Sequence, residues 1–254
     1  MAMAQTAYRT RLASHKTSVA VAGISALAVG YFGVEGTPKT IIDFPLEYVF
    51  DAAVFLHKSG HENVIAVGIS KGAELALAAA SYSEEINGVT ALSPSSRVNM
   101  GIGPGISWVK ASSWTFKGDE LPYAYAKVPG WRAVLKSIRA RELTFRFAYE
   151  EAYRNAGDES MIPIEKINGP VLVCGALEDL LWPSAQACDE IIDRLEKHPF
   201  KHPHKKLVYR YASHILLPFD TGYNKYFRVG RKYPGECRQT ITDLRREIMD
   251  WLHM

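Results

Sequence analysis

The sequence predicts an α/β domain, a mostly parallel sheet with helices on both faces. Three observations predict it. Short apolar runs alternate with helical repeats along most of the chain. One of those runs leads straight into Gly68-Ile69-Ser70-Lys71-Gly72 and then into an alanine-rich helix former. And 254 residues, 47% hydrophobic and 22% charged, suffice to bury a large core without disulfide or metal staples.

The elements follow in order. Ile24 to Phe32 reads as a buried strand. Leu46, Val49, Phe50, Ala53 and Val54 recur at helical spacing, and that helix ends near Gly60. Asn63 to Val67 is the next strand, Ala73 to Ser81 a helix, Gly88 to Leu92 a strand, Pro170 to Gly175 another, and Leu207 to Tyr211 the last. Helices fill Ser184 to Lys197 and Glu236 to Leu252. The stretch from Thr17 to Phe32, behind Arg9, Arg11 and Lys16, has the outline of a signal-peptide core. Thr17, Ser18 and Ser25 interrupt it and it is short for a membrane span, so a buried helix end plus a strand is the reading favoured. No repeat, low-complexity tract or long linker divides the chain, and residues 1–254 are expected to form one domain.

Between about residues 93 and 163 the alternation lapses. Gly101, Gly103, Pro104 and Gly105 read as a hinge or turn, and they lack the strand-before, helix-after context of a nucleotide loop. Trp108, Trp114 and Trp131 concentrate nearby, and a helical pattern runs from about Trp131 to Arg154. An insertion at this point overhangs the strand ends where open sheets bind ligands. It is predicted to be a lid or cap, with Trp108, Trp114 and Trp182 as candidate substrate-binding residues. The plainer reading is a peripheral decoration whose tryptophans close a small core.

The chemistry centres on Ser70. A serine nucleophile stands on a tight strand-to-helix turn, and close packing there favours glycine on both sides, here Gly68 and Gly72. The same turn aims the Lys71 backbone N–H at a developing oxyanion. A serine needs a base and an orienting acid, which in this kind of sheet follow in the order acid, then histidine. Asp179 lies just past the 170–175 strand and His214 just past the 207–211 strand, so both fall on the sheet edge that carries Ser70. Glu178 competes with Asp179 for the acid's place, and position along the chain separates the two poorly. His15, His57 and His61 precede the serine, which disfavours them. Glu74 reads as a buried strut more readily than as part of the site.

These residues resemble the catalytic domain of the acyl-CoA thioesterase and bile acid-CoA:amino acid N-acyltransferase family, α/β-hydrolases related to dienelactone hydrolase. The resemblance rests on Ala7-Tyr8-Arg9-Thr10-Arg11-Leu12-Ala13, on Ala26-Leu27-Ala28-Val29-Gly30-Tyr31-Phe32-Gly33, on Pro38-Lys39-Thr40 leading to Leu46-Glu47-Tyr48, and on Gly68-Ile69-Ser70-Lys71-Gly72-Ala73-Glu74-Leu75. It continues through Ile162-Pro163-Ile164-Glu165-Lys166-Ile167, Glu178-Asp179-Leu180-Leu181-Trp182-Pro183-Ser184 and Ala212-Ser213-His214. It implies an α/β-hydrolase fold, amino-terminally truncated and carrying a cap insertion, with Ser70, Asp179 and His214 as the catalytic triad. In such proteins a central strand beside the nucleophile's strand carries a second oxyanion donor, and that strand is missing here. Either the Thr17 to Phe32 region or another chain is then expected to fill its place, and a homo-oligomer is expected. Ser213 stands where the family has glycine.

Serine rather than cysteine at position 70 tilts the resemblance toward hydrolysis of an acyl thioester on coenzyme A or a carrier protein. The rival readings are acyl transfer, or lactone-forming release of a polyketide chain, and a non-catalytic acyl-binding protein. No cofactor is expected. A net charge of +3 with scattered Lys and Arg argues against nucleic acid as a partner, while leaving room for a basic rim that attracts an anionic carrier. No membrane partner is expected. Cys174, Cys188 and Cys237 show no CxxC spacing and read as reduced thiols of a cytoplasmic protein. His198, His202 and His204, interleaved with Pro199 and Pro203, read as a solvated loop and not a metal site.

Overall fold

The computed structural model describes residues 24–127 and 130–253. Its centre is a four-stranded, wholly parallel sheet in the order β2-β3-β8-β9, built from Ala66–Ile69 (β2), Val89–Leu92 (β3), Val171–Ala176 (β8) and His204–Tyr209 (β9). The period-2 alternation of β3 and β8 divides the core between two faces. Val89, Ala91, Val171 and Val173 pack with Leu77 and Ala80 of helix α2 (Lys71–Tyr82) and with Ile191 and Leu195 of α5 (Ser184–Lys197). Leu92, Leu172, Cys174 and Ala176 pack instead with Leu244, Ile248 and Trp251 of the terminal helix α7 (Pro234–Leu252). Helices therefore cover both faces, and this is the α/β-hydrolase fold. An amino-terminal helix α1 (Glu47–Lys58) completes the layer that carries α2.

Three expectations need correction. The segment 24–32 forms no strand: it takes no regular structure, and Ala26 and Ala28 are exposed. An apolar run becomes a strand only when a partner supplies its ladder, and none of the described residues does so here. Strand β9 starts three residues earlier than the apolar run at Leu207, because its register with β8 pairs Val171 with His204. As an edge strand it carries the exposed Lys205 and Lys206, one on each face, which hide it from an apolar pattern. Finally, residues 93–163 hold strands that the sequence does not announce. Met100–Gly103 (β4) and Ser107–Ser112 (β5) form an antiparallel pair, and Trp114–Phe116 (β6) pairs with Phe44–Pro45 (β1) and Asp119–Glu120 (β7).

In that region Gly101 and Gly103 are packing glycines, while the expected turn forms at Pro104–Ile106, where Gly105 takes a left-handed φ of 67°. A Cβ on Gly101 would come within 3.0 Å of the Ile41 carbonyl oxygen, and one on Gly103 within 2.8 Å of Val109 Cγ2. The single helical pattern divides into α3 (Gly130–Ala140) and α4 (Arg146–Asn155), broken where Arg141 takes a left-handed φ of 56°. Among the described residues no helix is long and apolar enough to cross a membrane. The residues of the 1–23 stretch, including Tyr8, Arg9 and Thr17, lie outside the described part.

Candidate active site

Strand β2 leads directly into Ser70, which sits at φ 57°, ψ −125°, a backbone geometry that a non-glycine residue adopts only when its surroundings enforce it. Enforcement comes from both sides. The Ser70 N–H donates to the Leu92 carbonyl at 2.9 Å, and the Ser70 carbonyl accepts from Ala73 and Glu74 as α2 begins. Gly68 is sterically required: a Cβ there would lie 2.0 Å from the Gly72 carbonyl oxygen. Gly72 is not required in the same way, since a Cβ would meet only Tyr31 Oη at 3.6 Å. The close packing expected at both flanking positions thus holds at one. Lys71 is the first residue of α2, so helix geometry leaves its N–H without an intrahelical acceptor.

Three strand ends bring the remaining groups to this turn. Ser70 Oγ donates to His214 Nε2 at 2.7 Å, and His214 Nδ1 donates to Asp179 Oδ2 at 2.9 Å. Asp179 is fully buried, and its Oδ1 also accepts from the N–H groups of Leu181 at 3.0 Å and Trp182 at 3.3 Å. Those bonds aim the carboxylate. Glu178, one residue away, turns outward and pairs with Arg228 at 2.6 Å. Its side chain takes no part in the histidine's hydrogen bonds, which separates the two acids where chain position could not. His214 is itself gripped: Ser93 Oγ donates to its carbonyl at 2.8 Å, and the neighbouring Ser213 hydroxyl bonds Asn224 Oδ1 at 3.1 Å.

Aromatic side chains wall the histidine. Trp182 stands edge-on to His214 with centroids 5.4 Å apart, and its indole N–H donates to the Ser93 carbonyl at 3.0 Å. Tyr149 of α4 packs edge-on to Trp182 at 5.4 Å, and Trp108 of β5 packs on Tyr149 and Phe145. The 93–163 region reaches the acid loop directly as well, through Phe145 and Arg146 N–H groups, each 2.9 Å from the Leu180 carbonyl. Phe145, Tyr149 and Tyr153 fall at i, i+4 and i+8, a helical signal present in the sequence and not singled out there. Ser93 left no signal at all.

Trp114 lies elsewhere. It is fully buried under α2, edge-on to Phe44 and Tyr31, with its indole N–H donating to Glu74 Oε1 at 2.8 Å. Its partner Glu74 is a strut. The carboxylate accepts from Lys71 Nζ at 2.9 and 3.0 Å, from the Asn99 N–H at 2.9 Å and from Asn99 Nδ2 at 2.8 Å. Lys71 Nζ also donates to Ser113 Oγ at 2.7 Å. Burial lowers the Lys71 ammonium from its ordinary value, with Glu74 opposing the shift. Burial, and then the Glu74 charge, pushes the Tyr31 hydroxyl up. His202 and His204 both pack edge-on against Phe200, and no group of three or more metal-ligating side chains occurs among the described residues.

Residues 44–220 match the family described as BAAT / acyl-CoA thioester hydrolase C terminal. The chain belongs to that family. Within it, curated relatives include mouse acyl-coenzyme A amino acid N-acyltransferase 2, 25% identical over 213 residues, a stretch covering 82% of this chain and 44% of the relative. Mouse mitochondrial acyl-coenzyme A thioesterase 2 is 28% identical over 201 residues, 77% of this chain and 40% of the relative. This BAAT-family chain therefore spans less than half the length of those proteins. Among solved structures, the acylaminoacyl peptidase of Pyrococcus horikoshii aligns with a TM-score of 0.45 at 11% identity, covering 82% of this chain and 27% of the peptidase.

Among the described residues β2 is one of the two edge strands of the sheet. Strand β2 bonds β3 on one side, and among the described residues no strand pairs with its other side. Ala66 and Ser70 direct their N–H groups to β3, so the N–H and carbonyl of Val67 face outward, and Val67 is 57% exposed.

Proposed function

We propose that this chain cleaves an acyl thioester through Ser70, His214 and Asp179. The observation that carries the reading is the continuous chain of short hydrogen bonds from Ser70 Oγ through His214 to Asp179, at 2.7 and 2.9 Å. His214 Nε2 takes the Ser70 proton as Oγ attacks the thioester carbonyl carbon, while Asp179 holds the Nδ1–H tautomer and stabilises the imidazolium. The Lys71 N–H donates to the oxyanion of the tetrahedral adduct. Collapse breaks the C–S bond, and the imidazolium returns the proton to the departing thiolate. Water, deprotonated by His214, then attacks the acyl-serine; the carboxylic acid leaves and Oγ regains its proton.

The acyl chain rests on the aromatic wall with the half-buried Trp108 as its contact, the buried Trp182 backing the wall against His214, and residues 93–163 act as the cap. Trp114 supports the site from the core through Glu74. The thiol is carried on coenzyme A or on a carrier protein, a choice on which the named activities of the relatives favour coenzyme A. Transfer of the acyl group to an amine or alcohol is the second reading, favoured by the similarity to an N-acyltransferase and by a wall that keeps water from one side of His214. A fluorophosphonate probe should label the wild type and spare Ser70→Ala, and equal labelling of both ends the proposal. Product ratios from an acyl-enzyme offered glycine, ethanol or water alone separate transfer from hydrolysis.

The outer edge of β2, unpaired among the described residues, supports assembly as a homo-oligomer. Light scattering at micromolar concentration should return more than a monomer mass, and a strict monomer counts against it.

A further inference from the structure

Arg139 and Arg141, at the end of α3, meet Arg228, Arg231 and Lys232 of α6 (Arg228–Lys232) around a cavity of about 390 Å3. A second cavity of about 150 Å3 shares Arg228 and Lys232 and reaches Glu178. Glu178 immediately precedes Asp179, so the two hollows step from the cations toward the loop that orients His214.

Five cations gathered in one place need counter-charge, and the fold supplies two carboxylates, Glu178 and Glu142. Arg228 pairs with Glu178 at 2.6 Å, and its backbone N–H donates to Glu142. Arg231 directs its guanidinium to carbonyls, Nη1 to Tyr226 at 2.7 Å and Nη2 to Arg141 at 3.0 Å. Those bonds fix its position, and the nearby Glu142 carboxylate offsets part of the charge of Arg231 and Arg228. Arg139, Arg141 and Lys232 form no ion pair among the described residues. Carbonyl bonds that hold a guanidinium still, beside like charges left unpaired, prepare a place for an anion that the protein itself does not provide.

Taking the thioesterase reading as given, we propose that this cavity binds the phosphorylated nucleotide end of the thiol carrier. Phosphate monoester and diphosphate oxygens are the groups that guanidinium forks match in geometry and charge. The cations line a shallow, open depression at the surface, accessible to a charged group carried on a longer molecule. The phosphates lie at the opposite end of such a carrier from its sulfur. Holding that end positions the thioester at Ser70 without touching the reacting atoms, the role of remote binding groups in catalysis. A phospholipid headgroup offers the same phosphate chemistry, and the test separates the two.

The test uses Arg139→Gln/Lys232→Gln, two side chains with no ion pair to break. Decanoyl-CoA and the decanoyl thioester of N-acetylcysteamine, which lacks phosphates, are compared as substrates. The wild type's preference for the CoA ester, as a ratio of kcat/KM, should fall about tenfold in the double variant. An unchanged ratio overturns the assignment. If neither ester turns over in the wild type, the thioesterase reading fails by itself. The cavity is then judged by titrating Ser70→Ala with adenosine 3′,5′-bisphosphate, where binding weakened about tenfold by the double substitution sustains it and no binding overturns it. Vesicles of phosphatidylcholine with phosphatidylglycerol form the last arm: binding to them that is lost in the double variant, with no binding of the bisphosphate, assigns the cations to a lipid surface and overturns the nucleotide.

Discussion

Lys71 Nζ and the Glu74 carboxylate meet at 2.9 Å in the first turn of the helix that follows Ser70, and water reaches neither charge to any useful extent. The pair ties α2 to Ser113, Asn99 and Trp114 of the neighbouring region. Breaking a buried pair leaves one charge without compensation. Glu74→Gln should cost about 3–5 kcal/mol in urea unfolding. Adding Lys71→Met to it should recover a good part of that loss, because the orphaned ammonium goes too. A Glu74→Gln variant as stable as the wild type contradicts this account.

Asp179 and Glu178 stand next to one another in the sequence and differ in every physical respect. Asp179→Asn removes the acceptor that fixes the His214 tautomer, and kcat should fall about ten-thousandfold. Glu178→Gln, whose partner is the exposed Arg228, should cost at least a hundredfold less. Steady-state kinetics on one thioester decide it. Equal losses would mean the carboxylate oriented toward His214 is not the acid.

The two glycines of the elbow should behave differently. Gly68→Ala drives a Cβ into backbone atoms of Gly72 and Ala73 that cannot yield, and should destabilise by about 3 kcal/mol. Gly72→Ala meets ordinary contact and gains helix propensity, so its change should stay within about 1 kcal/mol, on the stabilising side. Thermal melts of the two variants side by side provide the check.

Alkaline pH should unfold the protein early. Burial raises the Tyr31, Tyr149, Tyr153 and Tyr209 hydroxyls well above their ordinary value. In the unfolded chain each loses its proton near pH ~10. The folded state then holds protons that the unfolded state has released, so stability is complete below pH ~10 and declines above it. Lys71, whose value burial lowers, works in the opposite sense over the approach to that pH. Tyr153→Phe isolates one contribution. It forfeits the 2.8 Å bond to Ser95 at neutral pH, and its melting temperature should then fall less steeply than the wild type's between pH 9 and 11.

Much of the site was legible in the sequence because its chemistry is local or ordered along the chain. A serine elbow needs glycine before the nucleophile, a strand to lead in and a helix to lead out, and all three lie within residues 64–82. The acid and the histidine follow at successive strand ends. The boundaries of α5 and α7 were readable within two residues, since their apolar faces repeat at helical period and little competes with that signal. The segment 24–32 failed for the opposite reason, because a strand is a pairing between distant residues and an apolar run states only that such a pairing is permitted.

What the sequence by itself determined is the parallel α/β frame and which side chains have the chemistry to attack a carbonyl, since periodicity and residue type are properties of short stretches. Only the tertiary structure decided that Asp179 and not Glu178 faces His214, that Trp114 lies in the core beneath Glu74, that β2 is an edge strand among the described residues, and that arginines some ninety residues apart share one hollow. Those are outcomes of distance and direction between remote parts of the chain, and they exist only once packing has chosen which residues become neighbours.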